Sequence, residues 1–297
     1  MSDARVFGVD FSSAPSTRKP ITVADGRLLR RSGSRAVYAL DAVYLVPNWD
    51  VFQIFLSTQG PWVGGFDLPF GQPRALIEHY RWPTDWSTFV DFFSDAPREQ
   101  LRSAFKAWCD ARPVGDKFAW RAADRPAGSS PAMRWTNPPV AWMMQAGVRR
   151  MRDADLLFPA HRSPSWAFDD AGRLTANVGG QARIALEAYP AFTARQVIRS
   201  SYKSDDRSKH TPERFAARRQ IVRALERGVA GLAVQLELSG EWRDALEAEG
   251  SADLLDAVIC GLQAAHASLC PGWGLSPAVD PLEGWISTVP HPDTEVE

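Results

Sequence analysis

The chain has 297 residues, 45% of them apolar, with 34 basic and 35 acidic side chains. That suffices for one large domain or two small ones with a sizeable core, and the near-zero net charge excludes a strongly basic nucleic-acid binder. It leaves room only for a local basic face, which the predominance of Arg over Lys would suit.

Three cysteines, Cys109, Cys260 and Cys270, are too few and too scattered for a zinc site or a disulfide framework. No run of 18 apolar residues marks a membrane span. The opening MSDARVFGVDFSS lacks a basic segment followed by a long apolar run, so no signal peptide is expected and cytoplasm is the default compartment.

In chain order, residues 5–11 (RVFGVDF) predict a short buried strand ending near Asp10. Residues 19–46 predict two more strands, with a hairpin turn at Asp25-Gly26 and a β-rich run RAVYALDAVYLV. Three strands with tight links imply an antiparallel meander. Residues 48–59 predict a helix capped by Asn48, and residues 61–67 (PWVGGFD) a strand ending at Asp67. This strand-helix-strand step permits a parallel crossover.

From about 70 to 180 the pattern loosens into helical pieces (73–80, 86–93, 97–111) and turn-rich segments. This is an insertion or subdomain, read either as a substrate-facing lid or as an elaboration that completes the core. Its Trp120, Trp135, Trp142 and Trp166 suit a small core better than a stacking surface. Residues 182–189 (ARIALEAY) predict another buried strand with Glu187 near its end. The stretch 190–247 reads as mostly helical, with Thr211-Pro212 starting one helix. Residues 251–269 give the clearest helix, with Ser251 as its cap. The segment 276–297 is a tail with a last short strand, GWISTV.

Carboxylates at strand ends carry the functional argument. Asp10, Asp67 and Glu187 each follow an apolar strand, where a charge is costly unless paired or metal-bound. Asp253 and Asp256, three apart, share one face of the 251–269 helix. A cluster of such groups suits Mg²⁺ or Mn²⁺, which prefer oxygen ligands and can activate water for phosphodiester cleavage. Taken singly, each Asp could equally be a turn former or helix cap.

Ser12, Ser13 and Lys19, after the first strand, form either a phosphate contact or an ordinary turn. The segment 201–225 is rich in Lys and Arg; Lys203 and Arg207 are its candidates for a phosphate backbone, against the reading of a solvated basic helix face. His161 is a general-base candidate on its chemistry alone. There is no GxxxxGK[ST] loop and no GxSxG elbow.

The order of GVDFSSAPSTRK, GFDLPFG, LEAYP and ADLLDAVICGLQAA, spanning roughly residues 5–270, resembles the ribonuclease-H-like superfamily. It resembles more closely the family called domain of unknown function 429, whose members are predicted nucleases. The resemblance implies a ribonuclease-H-like α/β fold: a mixed five-stranded sheet, three antiparallel strands first, helices on both faces, over residues 1–275. It implies a first catalytic Asp at Asp10 in mid-sheet, with Asp67, Glu187 and Asp256 (Asp253 as second choice) completing a metal site. The implied activity is a Mg²⁺- or Mn²⁺-dependent nuclease on DNA or RNA, as a homodimer and away from membranes. Two alternatives stand beside it: an actin-like phosphotransferase or ATPase, and a non-catalytic binding protein whose acids fail to converge or are neutralised by salt bridges.

Overall fold

A computed structural model of the chain describes residues 4–30, 35–162, 166–168, 174–176, 181–229 and 231–292. Its elements in chain order are β1 (Ala4–Asp10), β2 (Ile21–Leu29), β3 (Ala36–Val46), α1 (Trp49–Leu56), β4 (Trp62–Asp67), α2 (Arg74–His79), α3 (Trp86–Asp95), α4 (Arg98–Asp110), α5 (Asp124–Ala127) and α6 (Val140–Asp153). Then follow β5 (Trp166–Phe168), β6 (Leu174–Ala176), β7 (Arg183–Glu187), α7 (Pro190–Val197), α8 (Pro212–Arg227), β8 (Val234–Glu237), α9 (Gly240–Ala248) and α10 (Asp253–Ala267).

Six strands form one mixed sheet in the order β7-β4-β1-β2-β3-β8; β5 and β6 make a separate two-stranded ribbon. β1, β2 and β3 are the expected antiparallel meander, and β4 joins β1 in parallel after the α1 crossover. β1 is therefore a central strand with a neighbour on each side. The sixth strand, β8, is an addition to the five expected. It pairs in parallel with the start of β3, and its four residues, set between two helices, give too short a period-2 signal to stand out.

Alternation divides the sheet into two buried faces. Phe7 and Val9 of β1, Val23 of β2 and Phe66 of β4 enter one core with α1, α3, α4 and α6, rich in aromatic rings. The 70–180 insertion thus supplies one helical layer of the molecule, as the core-completing reading has it. Trp142 is buried there, and Phe105 packs its ring against those of both Trp135 and Trp142. Val6, Ala24, Tyr38 and Leu186 enter the other core with α8 and α10.

α10 lies unusually close to the sheet. A Cβ on Gly8 would stand 1.9 Å from the Ala257 carbonyl oxygen and 2.2 Å from the Gly261 nitrogen; one on Gly65 would stand 2.3 Å from the Cys260 oxygen. Only glycine permits backbone to approach backbone like this. Since Asp10 and Asp67 each follow these glycines by two residues, on the same face, the glycines dock the start of α10 beside both acids.

Several local expectations are corrected. Asp25-Gly26 is no turn: β2 runs through it, with a register shift against β3 at that point. Gly26 leaves room for the Tyr38 ring and the Ala39 carbonyl, and Asp25 is buried against Arg5 at 2.7 Å. Ser251 does not cap α10. The position before the helix is Ala252, at φ 62°, and the Leu254 N–H donates instead to Glu249 at 2.9 Å. The segment GWISTV contributes only an isolated bridge, Glu187 to Ile286, rather than a strand. Asn48 and Thr211 cap α1 and α8 as expected. Gly179-Gly180, the later glycine pair that an actin-like duplicated half would need for a phosphate turn, lies outside the described residues.

Candidate active site

Asp10 and Asp67 are register partners at the carboxyl ends of the adjacent parallel strands β1 and β4. Gly8 and Gly65 show that their shared face is the one covered by α10, and the first turns of that helix bring Asp256 and Asp253 alongside. The charges of neighbouring acids act on both strand-end carboxyls. Burial first, then the charges of Asp256, Asp67 and Asp253, push the Asp10 carboxyl well above its ordinary range, against an opposing pull from Lys203. Burial likewise raises Asp67 from 3.8 to about 7, with Lys203 opposing and Asp256 and Glu187 adding.

The two strand-end acids and the helix acid differ in how they are satisfied. Asp256 is fully buried. One of its oxygens accepts from the Tyr202 hydroxyl at 2.6 Å, and the other is ion-paired with the Lys203 ammonium. The carboxylates of Asp10 and Asp67 have no hydrogen-bond or ion-pair partner among the described residues. Asp253 is held by Lys19 at 3.3 Å, and Lys19 also reaches Asp205 at 2.7 Å.

Lys203 is the central cation. Burial would lower its ammonium, but Asp256, Tyr202, Asp10 and Asp67 together hold it well above the ordinary lysine value. Its segment is pinned from below by Arg218, which is buried and donates to the carbonyls of Tyr202 (2.8 Å) and Glu247 (2.9 Å). Arg218 is thus a structural anchor and not part of a solvated basic face of α8. Arg207 is exposed in the one-turn helix Arg207–Lys209, four residues beyond Lys203. Ser12 and Ser13 lie in the partly exposed loop after β1, where the Ser12 hydroxyl faces the Ala14 N–H at 3.5 Å.

Glu187 is not brought into this cluster. It pairs in register with Phe66, so it projects to the opposite face from Asp67. There it is neutralised by Arg121, whose two terminal nitrogens donate to its two oxygens at 2.8 and 2.6 Å, and it also accepts from the Phe70 N–H at 3.0 Å. Arg121 is shared with Asp124 at 2.8 Å. The chain thereby clamps its insertion to the end of β7. No sequence signal announces a pair separated by 66 positions. Tyr202 was also missed, although its place beside Lys203 in SYKSDD could have drawn notice. His161 is buried, donates through Nδ1–H to the Pro281 carbonyl (2.7 Å), and stacks on Trp86 at 4.2 Å between ring centroids. Burial lowers its pKa to about 3, so it is neutral near pH 7 and too weak a base to suit the general-base role.

Among the described residues, no group of three or more His, Cys, Asp or Glu side chains is placed to enclose a metal ion. What the chain offers is narrower: two adjacent carboxylates with no protein cation bonded to them, beside a third that already has one. Such a pair fits Mg²⁺, which keeps several waters and commonly takes only one or two carboxylates from the protein. Comparison with known proteins adds no assignment: no family model, no curated protein and no solved structure matches the chain. No helix among the described residues is long and apolar enough to cross a membrane.

Proposed function

We propose that the chain is a divalent-metal-dependent phosphodiester hydrolase acting on nucleic acid, with Asp10 and Asp67 as the ligands of Mg²⁺ or Mn²⁺. The observation that carries the reading is the unequal treatment of the acids. Asp256 and Glu187 are each matched to a basic side chain, whereas Asp10 and Asp67 are set side by side, half-buried, with no basic side chain bonded to either. A non-catalytic protein retaining the fold predicts that the acids fail to converge or are neutralised by salt bridges, which describes Glu187 and Asp256 and leaves Asp10 and Asp67 to be explained. Keeping two uncompensated carboxylates together costs stability, and perturbed groups of this kind concentrate at functional sites.

A bound divalent ion would supply Lewis acidity toward a phosphoryl oxygen and a more acidic water. The chain's own residues do the rest. Lys203 is ion-paired with the buried Asp256 and feels the charges of both strand-end acids, and its ammonium is the group to contact a phosphate and offset charge that develops on it. Tyr202 and Asp256 fix that ammonium. Lys19, tied to Asp253 and Asp205, and the exposed Arg207 are the further cations offered to a phosphate backbone.

The arrangement also agrees with the ribonuclease-H-like resemblance: three antiparallel strands come first, and the first Asp ends a central strand. A duplicated actin-like phosphotransferase finds less support, since the only second sheet among the described residues is the β5–β6 ribbon. Calorimetric titration with Mn²⁺ tests the proposal. Binding by the wild type and its loss in D10N/D67N are expected, with metal-dependent cleavage of labelled single-stranded, duplex or branched DNA or RNA. Equal behaviour of wild type and double variant would overturn it.

A further inference from the structure

A cavity of about 80 Å³ opens directly beside Asp67. Val140 and Met143 of α6, Ser130, Tyr189 and the Arg121–Glu187 pair form its walls, so the insertion and the sheet end build it together. The charge character of this space is unusual for a site next to a proposed phosphate centre. Its one guanidinium has five N–H donors, and they are consumed by Asp124, Glu187 and the Glu283 carbonyl: Nε and Nη2 reach Asp124 at 3.1 and 2.8 Å, Nη1 and Nη2 reach Glu187 at 2.8 and 2.6 Å, and Nη1 reaches Glu283 at 3.2 Å. No donor is left for an anion. The remaining surface is largely aliphatic and aromatic, with a Ser130 hydroxyl that has no partner among the described residues.

A neutral, mostly apolar group with a polar edge, such as the edge of a ring beside Tyr189, suits this lining; a phosphate does not. The volume is roughly that of two to three waters, enough for the inserted edge of one ring and too small for base, sugar and phosphate together. A ring seated there leaves its sugar-phosphate outside, beside Asp67.

We infer that this cavity is a nucleobase subsite, and that the substrate is therefore single-stranded or presents an unpaired, unstacked base to the site. The inference rests on the hydrolase reading above and narrows its substrate. A base inside a duplex cannot enter a side cavity without leaving the stack, whereas a single strand offers one at little cost.

The test uses the full chain with Mg²⁺ and fluorescently labelled, phosphorothioate-linked oligonucleotides: a single strand, the same strand with abasic residues, and a blunt duplex. Fluorescence anisotropy should show the abasic strand and the duplex binding at least about tenfold more weakly than the single strand. Met143→Trp and Ser130→Phe each fill the cavity from a partly exposed position. Either should abolish the preference for bases over abasic residues while leaving Mn²⁺ binding by calorimetry intact. Equal affinity for abasic and base-containing strands overturns the subsite and leaves the metal site standing. So does an undiminished preference in a folded variant, or Mn²⁺ binding without affinity for any of the three probes. Absence of Mn²⁺ binding to the wild type removes the hydrolase reading, and the subsite with it.

Discussion

Asp10 and Asp67 lie side by side as register partners at the ends of two hydrogen-bonded parallel strands, and the charge of Asp67 adds to burial and Asp256 in raising the Asp10 pKa. The arrangement follows from backbone geometry. Gly8 and Gly65 draw α10 onto the sheet, the helix covers both acids, and the loss of water that follows is the first cause of their raised pKa values. On the proposed reading, the feature that draws a cation to the pair is the same one that makes the pair costly without it.

This cost has a pH signature. The folded-state pKa of Asp67, about 7, lies above its ordinary 3.8, so between those values the folded chain binds more protons than the unfolded one. Stability should fall as pH rises from about 4 to about 7 and level off above. Asp67→Asn removes the ionised form and should exceed the wild type in stability above about pH 7, by on the order of 1–3 kcal/mol, the difference closing toward about pH 4. Mg²⁺ should raise the wild-type melting temperature more at about pH 8 than at about pH 6 and leave D10N/D67N unmoved. Urea unfolding across this range, with and without Mg²⁺, measures both; a pH-independent difference between D67N and wild type would contradict the account.

The Lys203–Asp256 pair should behave as a coupled unit. Lys203→Met strands a fully buried carboxylate, and because the lysine side chain is itself 42% exposed the expected loss is about 1–3 kcal/mol, short of a fully buried pair. Tyr202→Phe removes one hydrogen bond to the same carboxylate and should cost about 1–2 kcal/mol. Lys203→Met combined with Asp256→Asn should recover part of the loss, giving a favourable coupling in a double-mutant cycle. Strictly additive losses would mean that the two side chains do not act on each other.

The acids at the ends of β1 and β4 were legible in the sequence, because a charge directly after an apolar strand needs a reason, and the Asp-x-x-Asp of α10 was legible from helical spacing. Glu187 shows where that reasoning stops. It too follows an apolar strand, but its strand ends one pleat earlier than β4 does, and a shift of one residue turns a side chain to the other face. Strand-end position can be read from sequence; the parity of a residue relative to a neighbouring strand cannot. Nor can the partner be read when it lies in an insertion, as Arg121 does. The meander and the α1 crossover were visible because their links are short, whereas β8 has four residues and its pairing partner lies almost 200 positions upstream.

Glu187 should accordingly matter for stability and not for metal. Glu187→Gln should leave Mn²⁺ affinity within about twofold of wild type, since the side chain is spent on Arg121 and the Phe70 N–H, while lowering stability by about 1–3 kcal/mol. Arg121→Met leaves both Asp124 and Glu187 uncompensated in a buried setting and should cost more, about 3–5 kcal/mol. Calorimetry with Mn²⁺ and chemical denaturation of the two variants check the split. Loss of metal binding in a folded Glu187→Gln chain would move Glu187 into the metal site.

Gly8 offers the sharpest probe of how the fold builds the site. A methyl group there meets backbone atoms of Ala257 and Gly261 at 1.9 and 2.2 Å. Backbone in a packed helix cannot rotate aside as a side chain can, so α10 must move off the sheet. Gly8→Ala should therefore destabilise by about 3 kcal/mol or more, and it should also weaken Mn²⁺ binding, because the displaced helix no longer excludes water from Asp10 and Asp67 or holds Asp256 beside them. Gly240→Ala is the matching control: it opens α9, nothing stands within 4 Å of the added methyl, and it should be neutral or slightly stabilising. Thermal melts and Mn²⁺ titrations of both variants test the coupling. A Gly8→Ala chain that melts early yet binds metal as the wild type does would show that the two carboxylates form their site without help from α10.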